Sequence, residues 1–416
     1  MQNIENFLYT NQNENNGETN TNIVFPDYSD CIVNFSSSIL NHYGVKCEHE
    51  TLSKVDEILA KNFTHVVVIL LDGLGMDTME KNLYFRDFLR RNLLTDYSSV
   101  YPPTTTASTT SFLSGKYPIE HGWLGWDLYF EQEDKTVTCF SNTLQNTTEK
   151  AASYDIAQKY LPYEDIFQKI NNANNAKAYG VFPFDAFGFT GHKEIDDWVK
   201  EVRRTINSKE RTFTYAYLSS PDGVLHKSGG GSRDVEAEIR KINNIIIDLC
   251  QSAKDTVFFI TADHGHINIE NEFLCETYPE IANMMERPLS IEPRAISFYV
   301  KKKYKKEFPE IFNKYFGEHY MLFSKEEVLK NNLFGKGRAH ENLTGIGDFI
   351  GVAIGEKTLL WNKECRQFRS HHAGMTKKEM RIPLICYQTR KRMKWTTIYY
   401  GVIALVVAFL AYIYFM

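Results

Sequence analysis

Residues 213 to 266 read FTYAYLSSPDGVLHKSGGGSRDVEAEIRKINNIIIDLCQSAKDTVFFITADHGH, and this stretch decides the fold class. Phe213–Leu218 and Thr256–Thr261 are short runs rich in aromatic and β-branched residues, without polar alternation, which suits strands covered on both faces. Between them, Ser232 to Cys250 sets Val235, Ile239, Ile242, Ile246 and Leu249 at helical spacing. Asp234, Glu236 and Glu238 lie near its start, where the positive end of a helix favours acids. Strand, helix, strand is the βαβ unit. Similar runs recur at 65–71 (HVVVILL), 294–300 (RAISFYV) and 382–387 (IPLICY), so the chain from about 23 to 390 reads as one α/β domain with a parallel sheet between helix layers.

Ligands in open α/β sheets gather at the carboxyl ends of strands, and several of these runs end there in metal-ligating residue types. HVVVILL delivers Asp72, followed by glycines that let the backbone turn away. FTYAYL leads to Asp222 and His226, four apart and so on one face of a helical turn. TVFFIT runs into Asp263, His264, Gly265 and His266, and an unpaired charge at the end of a buried strand is too costly to be packing alone. Ahead of IPLICY, the pair His371 and His372 offers one more imidazole. Counting His372, the set is Asp72, Asp222, Asp263, His226, His264 and His372. Three Asp and three His suffice for two divalent cations, and mixed nitrogen and oxygen donors suit Zn2+ best, with Mn2+ next. Residues 101–115 (YPPTTTASTTSFLSG) add a run of hydroxyls at a helix start, fixed by two prolines and stopped by Gly115. A hydroxyl there sits where both an alkoxide and a phosphate are stabilised.

The chain carries 47 Lys and Arg against 52 Asp and Glu, a net charge of -5, which argues against a nucleic-acid polymer bound on a broad basic face. Phosphate chemistry then needs local positive charge, which cations would supply. The seven cysteines (Cys31, Cys47, Cys139, Cys250, Cys275, Cys365 and Cys386) are scattered and contain no C-x-x-C pair, as expected of reduced thiols in a cytosolic compartment. Residues 1–22 hold eight Asn and no apolar run, and read as a flexible leader without a secretory signal. Ile398 to Met416 carries no charge over 19 residues, long enough as a helix for the ~30 Å hydrocarbon core. Arg390, Lys391, Arg392 and Lys394 precede it, so residues 391–416 read as a basic flank and a single-pass C-terminal anchor with the domain facing the cytoplasm.

The order Asp72, hydroxyl helix, Asp222-x-x-x-His226, Asp263-His264-Gly265, His372 resembles the alkaline phosphatase superfamily. Within it, the type I phosphodiesterase/nucleotide pyrophosphatase family is the nearest likeness. Ser114-Gly115-Lys116-Tyr117-Pro118-Ile119-Glu120-His121-Gly122 is similar to that family's T-G-x-Y-P-x-x-H-G. The resemblance covers about Pro26 to Tyr387. It implies a mixed, mostly parallel central sheet, with insertions at about 127–200 and 266–345. It makes Thr105 the nucleophile, with Thr104 and Thr106 one-residue alternatives. It assigns one cation to Asp72, Asp263, His264 and the Thr105 oxygen, and the other to Asp222, His226 and His372. His372 is preferred to His371 because His372-Ala373-Gly374-Met375-Thr376 looks like the family's H-G-G-x-T. A departure falls at Ser108, where the family usually carries Asn.

The expected activity is divalent-metal-dependent hydrolysis of phosphodiester or pyrophosphate bonds in a small substrate such as a nucleotide, through a phosphothreonine-type intermediate. A phosphomonoesterase or phospho-group transferase is the alternative within the superfamily. A non-catalytic membrane adaptor is the alternative outside it, and it predicts a broken ligand position where all six are filled. Trp123 or Trp126, just after the hydroxyl helix, would stack a base or an acyl group. Oligomeric state is not written in the chain.

Overall fold

The computed structural model describes residues 22–365 and 367–389. Residues 1–21 of the leader and the apolar C-terminal run with its basic flank lie outside them. Among the described residues, no helix is long and apolar enough to cross a membrane.

Six strands form the central sheet: β1 (His65–Leu71), β2 (Leu93–Ser98), β3 (Lys177–Val181), β4 (Thr212–Leu218), β5 (Thr256–Thr261) and β6 (Arg381–Gln388). Their order across the sheet is β2-β6-β5-β1-β4-β3. β1 pairs in parallel with β4 and β5, as β3 does with β4, while β6 runs antiparallel to both β5 and β2. The sheet is thus mixed and mostly parallel. Every residue of β1 and β5 is buried, the burial expected of apolar runs with helices on both faces.

Three helices position or brace the loops at the strand ends: α1 (Thr105–Ser114), α2 (Asp222–Ser228) and α3 (Arg233–Ser252). In α3, Val235, Ile239, Ile242, Ile246 and Leu249 are the buried stripe, and Ser232 caps the N-terminus by accepting from the Val235 amide. Gly115 ends α1 with φ +66, the left-handed stop that glycine adopts without steric cost.

A second sheet stands beside the first, with strands from 127–144 and 290–298 joined to Tyr320–Ser324 and Phe349–Ala353. The link is the pairing of Ile291 with Asp127. The run 294–300 therefore supplies a strand, Ala295–Phe298, to this second sheet and not to the central one. It is buried there because the helix Phe308–Phe316 covers it with Phe308, Phe312 and Phe316, in an apolar cluster that includes Phe298. Conversely, β3 lies inside the stretch 127–200 yet belongs to the central sheet, so the insertion there is shorter than its sequence bounds. β3 is a short edge strand with a glycine in it, a weak local signal.

Candidate active site

Three neighbouring central strands each deliver a carboxylate: Asp72 follows β1, Asp222 follows β4 and opens α2, and Asp263 follows β5. Backbone bonds lock their spacing. The Asp222 amide donates to the Asp72 carbonyl at 3.0 Å, and the Gly73 amide donates to Asp263 Oδ1 at 3.0 Å. Gly73 turns with φ +75, and a Cβ there would stand 3.0 Å from the His266 ring and 3.2 Å from Asp222 Cα. Glycine is what lets the three loops meet.

α1 starts beside Asp72. Thr105 is its first residue, where helix amides have no intrahelical partner and the dipole is positive. Thr105 Oγ1 lies 3.3 Å from Asp72 Oδ1 and 3.2 Å from His264 Nε2. Its neighbours point elsewhere. Thr104 donates to Glu292 Oε1 at 2.7 Å, and the Thr106 hydroxyl is buried without a hydrogen-bond partner among the described residues. Ser108 is also turned away, its Oγ 2.9 Å from Ser99 Oγ.

Around Thr105 the donors gather in two overlapping clusters. Ligand atoms of Asp72, Asp222 and His264 all lie within 4.8 Å of one another, and so do those of Asp222, His226, His266 and His372. His371 belongs to neither. Its Nδ1 accepts the His372 amide at 2.9 Å. Accordingly, His372→Ala is expected to weaken cation binding and His371→Ala to leave it unchanged, as read by metal analysis of the purified proteins.

Several observations fit these clusters to cations. Asp263 Oδ1 accepts two amides, from Gly73 and His264, but among the described residues its buried Oδ2 has no hydrogen-bond partner, nor does His372 Nδ1. Such orphaned buried groups are costly unless an ion meets them. His226 Nδ1 lies 2.8 Å from the Ser370 carbonyl, which can only accept, so this nitrogen carries the proton. Its Nε2 is turned into the cluster and faces Asp222 Oδ1 at 3.2 Å. His264 repeats the pattern, with Nδ1 3.1 Å from the Gly265 carbonyl and Nε2 turned to Asp72 Oδ1 at 3.3 Å. Imidazoles held at the far nitrogen by an acceptor, with the near nitrogen turned into the site, are what metal sites use.

Electrostatics agree. Burial and the neighbouring Asp72 hold the Asp263 carboxyl well above its usual range. Burial pulls the His264 imidazole down, but Asp263 and Asp72 outweigh it and push it up to about 10. Burial also opposes ionisation of Asp222, yet His226 and His266 hold it well below the usual value. The site concentrates negative charge and attracts positive charge.

The loop carrying His372 is itself strained. Ala373 takes φ +83, a left-handed conformation costing a non-glycine residue about 1–2 kcal/mol. It stands at the first glycine of the family's H-G-G-x-T. The strain is held by Glu379, which accepts the Gly374 amide at 2.7 Å and the Thr376 hydroxyl at 2.7 Å.

The site opens into a cleft of about 940 Å3 lined by Thr105, Trp126, Glu292, Trp361, Phe368 and His372, among others. Trp126 is 45% exposed at this wall, whereas Trp123 is buried and donates its Nε1–H to the Leu161 carbonyl at 2.8 Å, as a packing residue. Burial lifts the Glu292 carboxyl to about 7.

Three participants carry little sequence signal. The Tyr217 hydroxyl donates to Asp72 Oδ2, and its place on β4, five residues before Asp222, reads as an ordinary strand aromatic. Glu292 arrives from the second sheet. His266 Nε2 lies 2.8 Å from Asp222 Oδ1, and its only signal is its adjacency to Asp263-His264-Gly265.

A family model described as type I phosphodiesterase / nucleotide pyrophosphatase matches residues 66–372. Curated proteins searched by sequence gave no match. Among solved structures, murine ectonucleotide pyrophosphatase/phosphodiesterase 5 aligns with TM-score 0.60 at 15% identity, over 79% of this chain and 90% of that one. The murine protein is also known in an inactive form in complex with AMP. The human protein of the same description aligns with TM-score 0.58 at 16% identity, over 82% and 94%. Phosphonoacetate hydrolase from Sinorhizobium meliloti aligns with TM-score 0.56 at 14% identity, over 79% and 91%. At these identities the likeness to solved structures is one of fold.

Proposed function

The chain belongs to the type I phosphodiesterase/nucleotide pyrophosphatase family, and from that premise we propose that it is a membrane-anchored hydrolase of phosphodiester or pyrophosphate bonds, dependent on two divalent cations, with Thr105 as nucleophile. The observation that carries this reading is the convergence of the Thr105 hydroxyl, at the head of α1, on Asp72 and His264. Asp72, Asp263, His264 and the Thr105 oxygen would hold one cation; Asp222, His226 and His372 would hold the other. Bound there, divalent cations, Zn2+ before Mn2+ on donor chemistry, lower the pKa of a nearby hydroxyl and neutralise charge on phosphoryl and leaving oxygens.

The remaining work falls to the chain. The first amides of α1 and its dipole stabilise the Thr105 alkoxide. Thr105 Oγ1, its proton released to solvent, attacks phosphorus in line, the ester oxygen opposite it leaves into the cleft and takes a proton from solvent, and a phosphothreonine ester forms. Water then cleaves that ester and restores the hydroxyl. Tyr217 fixes Asp72 throughout: burial and the Asp72 charge hold its phenol well above the usual range, so it remains a donor.

A nucleotide is a fitting substrate, because AMP is bound by the murine neighbour and Trp126 offers an exposed indole at the cleft wall. The apolar run Ile398–Met416, with its basic flank, anchors the domain on the cytoplasmic side of a membrane. The test is hydrolysis by the metal-loaded protein truncated before Lys391. Bis-p-nitrophenyl phosphate turned over faster than p-nitrophenyl phosphate supports the diesterase. The reverse order makes the protein a phosphomonoesterase, and no turnover of either refutes the reading.

A further inference from the structure

We propose that His266 is a fourth protein ligand to the cation held by Asp222, His226 and His372. The inference rests on the proposed function, in which those three residues hold a cation, and it adds a residue beyond the set that the family resemblance assigns.

The placement comes from a short antiparallel ladder. Ile267 pairs with His371 and Asn268 with Ser370, so the residue just before the first strand is carried alongside the His372 loop. The His266 ring sits 4.8 Å from that of His226 and 5.3 Å from that of His372, centroid to centroid. It is 3% exposed.

Proton accounting then decides what its nitrogens do. Ser370 Oγ lies 2.7 Å from the Leu225 carbonyl, and since a carbonyl only accepts, the single serine proton lies between them. Ser370 Oγ can therefore only accept from His266 Nδ1, which is 3.1 Å away. With Nδ1 protonated, a neutral His266 ring has a bare Nε2. That lone pair faces the carboxylate oxygen Asp222 Oδ1 at 2.8 Å. Two acceptors at that distance repel one another unless something positive lies between them. A cation shared by both atoms removes the conflict, and His226 Nε2 faces the same oxygen at 3.2 Å. Asp222, His226, His266 and His372 each place one ligand atom within 4.8 Å of the other three, the spacing of donors around a single ion. Two imidazole nitrogens converging on one carboxylate oxygen, each held by hydrogen-bond acceptors at the far side, form one coordination set.

Catalytic zinc commonly has three protein ligands and an open position, whereas four protein ligands close a tetrahedral site. With His266 included, a substrate oxygen would have to enter as a fifth donor. The cation is also retained more tightly than three ligands would retain it.

The experiment uses the full chain loaded with Co2+, whose visible absorption reports its donor set. Cation stoichiometry and affinity are measured by chelator competition, without substrate, in the wild type, His266→Ala, His266→Gln and Asp222→Asn. The expected result is two cations in the wild type. One of them should bind at least about 100-fold more weakly in both His266 variants, beyond the ~10–100-fold cost of losing a supporting hydrogen bond, with an altered spectrum at saturation. Wild-type affinity in His266→Gln, whose amide can still donate to Asp222, would overturn the inference. So would an unchanged spectrum in His266→Ala. If the wild type takes up fewer than two cations, or Asp222→Asn binds them as well as the wild type does, the underlying cation site itself fails, and that result is separable from the other two.

Discussion

Thr105→Ala is expected to abolish hydrolysis, lowering kcat for bis-p-nitrophenyl phosphate by at least about 10^4-fold, the scale on which loss of a covalent nucleophile is felt. The same variant should keep close to two cations per chain, because the carboxylates and imidazoles stay in place. Of the three consecutive hydroxyls, only that of Thr105 belongs to a residue that is not fully buried, and only it approaches both Asp72 and His264. Thr105→Ser keeps a hydroxyl at the head of α1 and should retain measurable turnover. Thr106→Ala removes a hydroxyl with no hydrogen-bond partner among the described residues and should leave turnover close to that of the wild type. Thr104→Ala breaks the bond to Glu292 and should weaken activity about tenfold or less, through the cleft wall. Steady-state kinetics and metal analysis on the same samples check all four. Full activity in Thr105→Ala would refute the assignment, and loss of activity in Thr106→Ala with Thr105→Ala intact would move it by one residue.

The parts of the site that can be read along the chain are those whose signal is local. β1 and β5 are buried along their whole length, so each is an uninterrupted apolar run, and the acid at its end stands out. Asp222 and His226 share one helical turn, and Gly115 marks where α1 stops. The parts that escape such reading depend on pairing between distant segments. His266 acquires its place only when Ile267–Asn268 meets Ser370–His371. Glu292 reaches Thr104 because the second sheet folds over the head of α1. The run at 294–300 shows its strand character locally, but a strand does not carry the identity of the sheet it joins. Trp123 and Trp126, three residues apart, look alike in sequence. Burial and the bond to the Leu161 carbonyl show that the first is packing.

Glu379→Gln is expected to cost about 3–5 kcal/mol of folding stability, the penalty for leaving one partner of a buried ion pair uncompensated. Arg294 and Glu379 are both fully buried, and their contact is bidentate: Nε to Oε1 at 2.7 Å and Nη2 to Oε2 at 2.8 Å. The carboxylate does more than neutralise the guanidinium. Its oxygens also take the Gly374 amide and the Thr376 hydroxyl, and its backbone carbonyl takes the Gly265 amide at 2.8 Å. Glu379 thus ties the loop after His372 to the turn after His264, and each of those histidines lies in one of the two donor clusters. Close packing leaves no slack in this tie, since a Cβ on Gly265 would lie 2.0 Å from the Lys378 carbonyl oxygen. A glutamine amide can meet Arg294 with only one acceptor: at the Oε1 position its NH2 faces the Arg294 Nε–H and the Gly374 N–H, and at the Oε2 position it faces the Arg294 Nη2–H and the Thr376 hydroxyl. Urea unfolding of the chelated protein should therefore show a lowered midpoint with an unchanged slope. Metal affinity should fall as well, because Ala373 loses the restraint that holds its left-handed backbone. The double variant Arg294→Met, Glu379→Leu separates the two roles. Replacing both charges with apolar side chains of similar size is expected to recover much of the stability. It leaves the Gly374 amide and the Thr376 hydroxyl without their acceptor, so cation affinity should remain low. Recovery of both quantities together would mean that Glu379 acts only as a counter-ion, and that the His372 loop is held by something else.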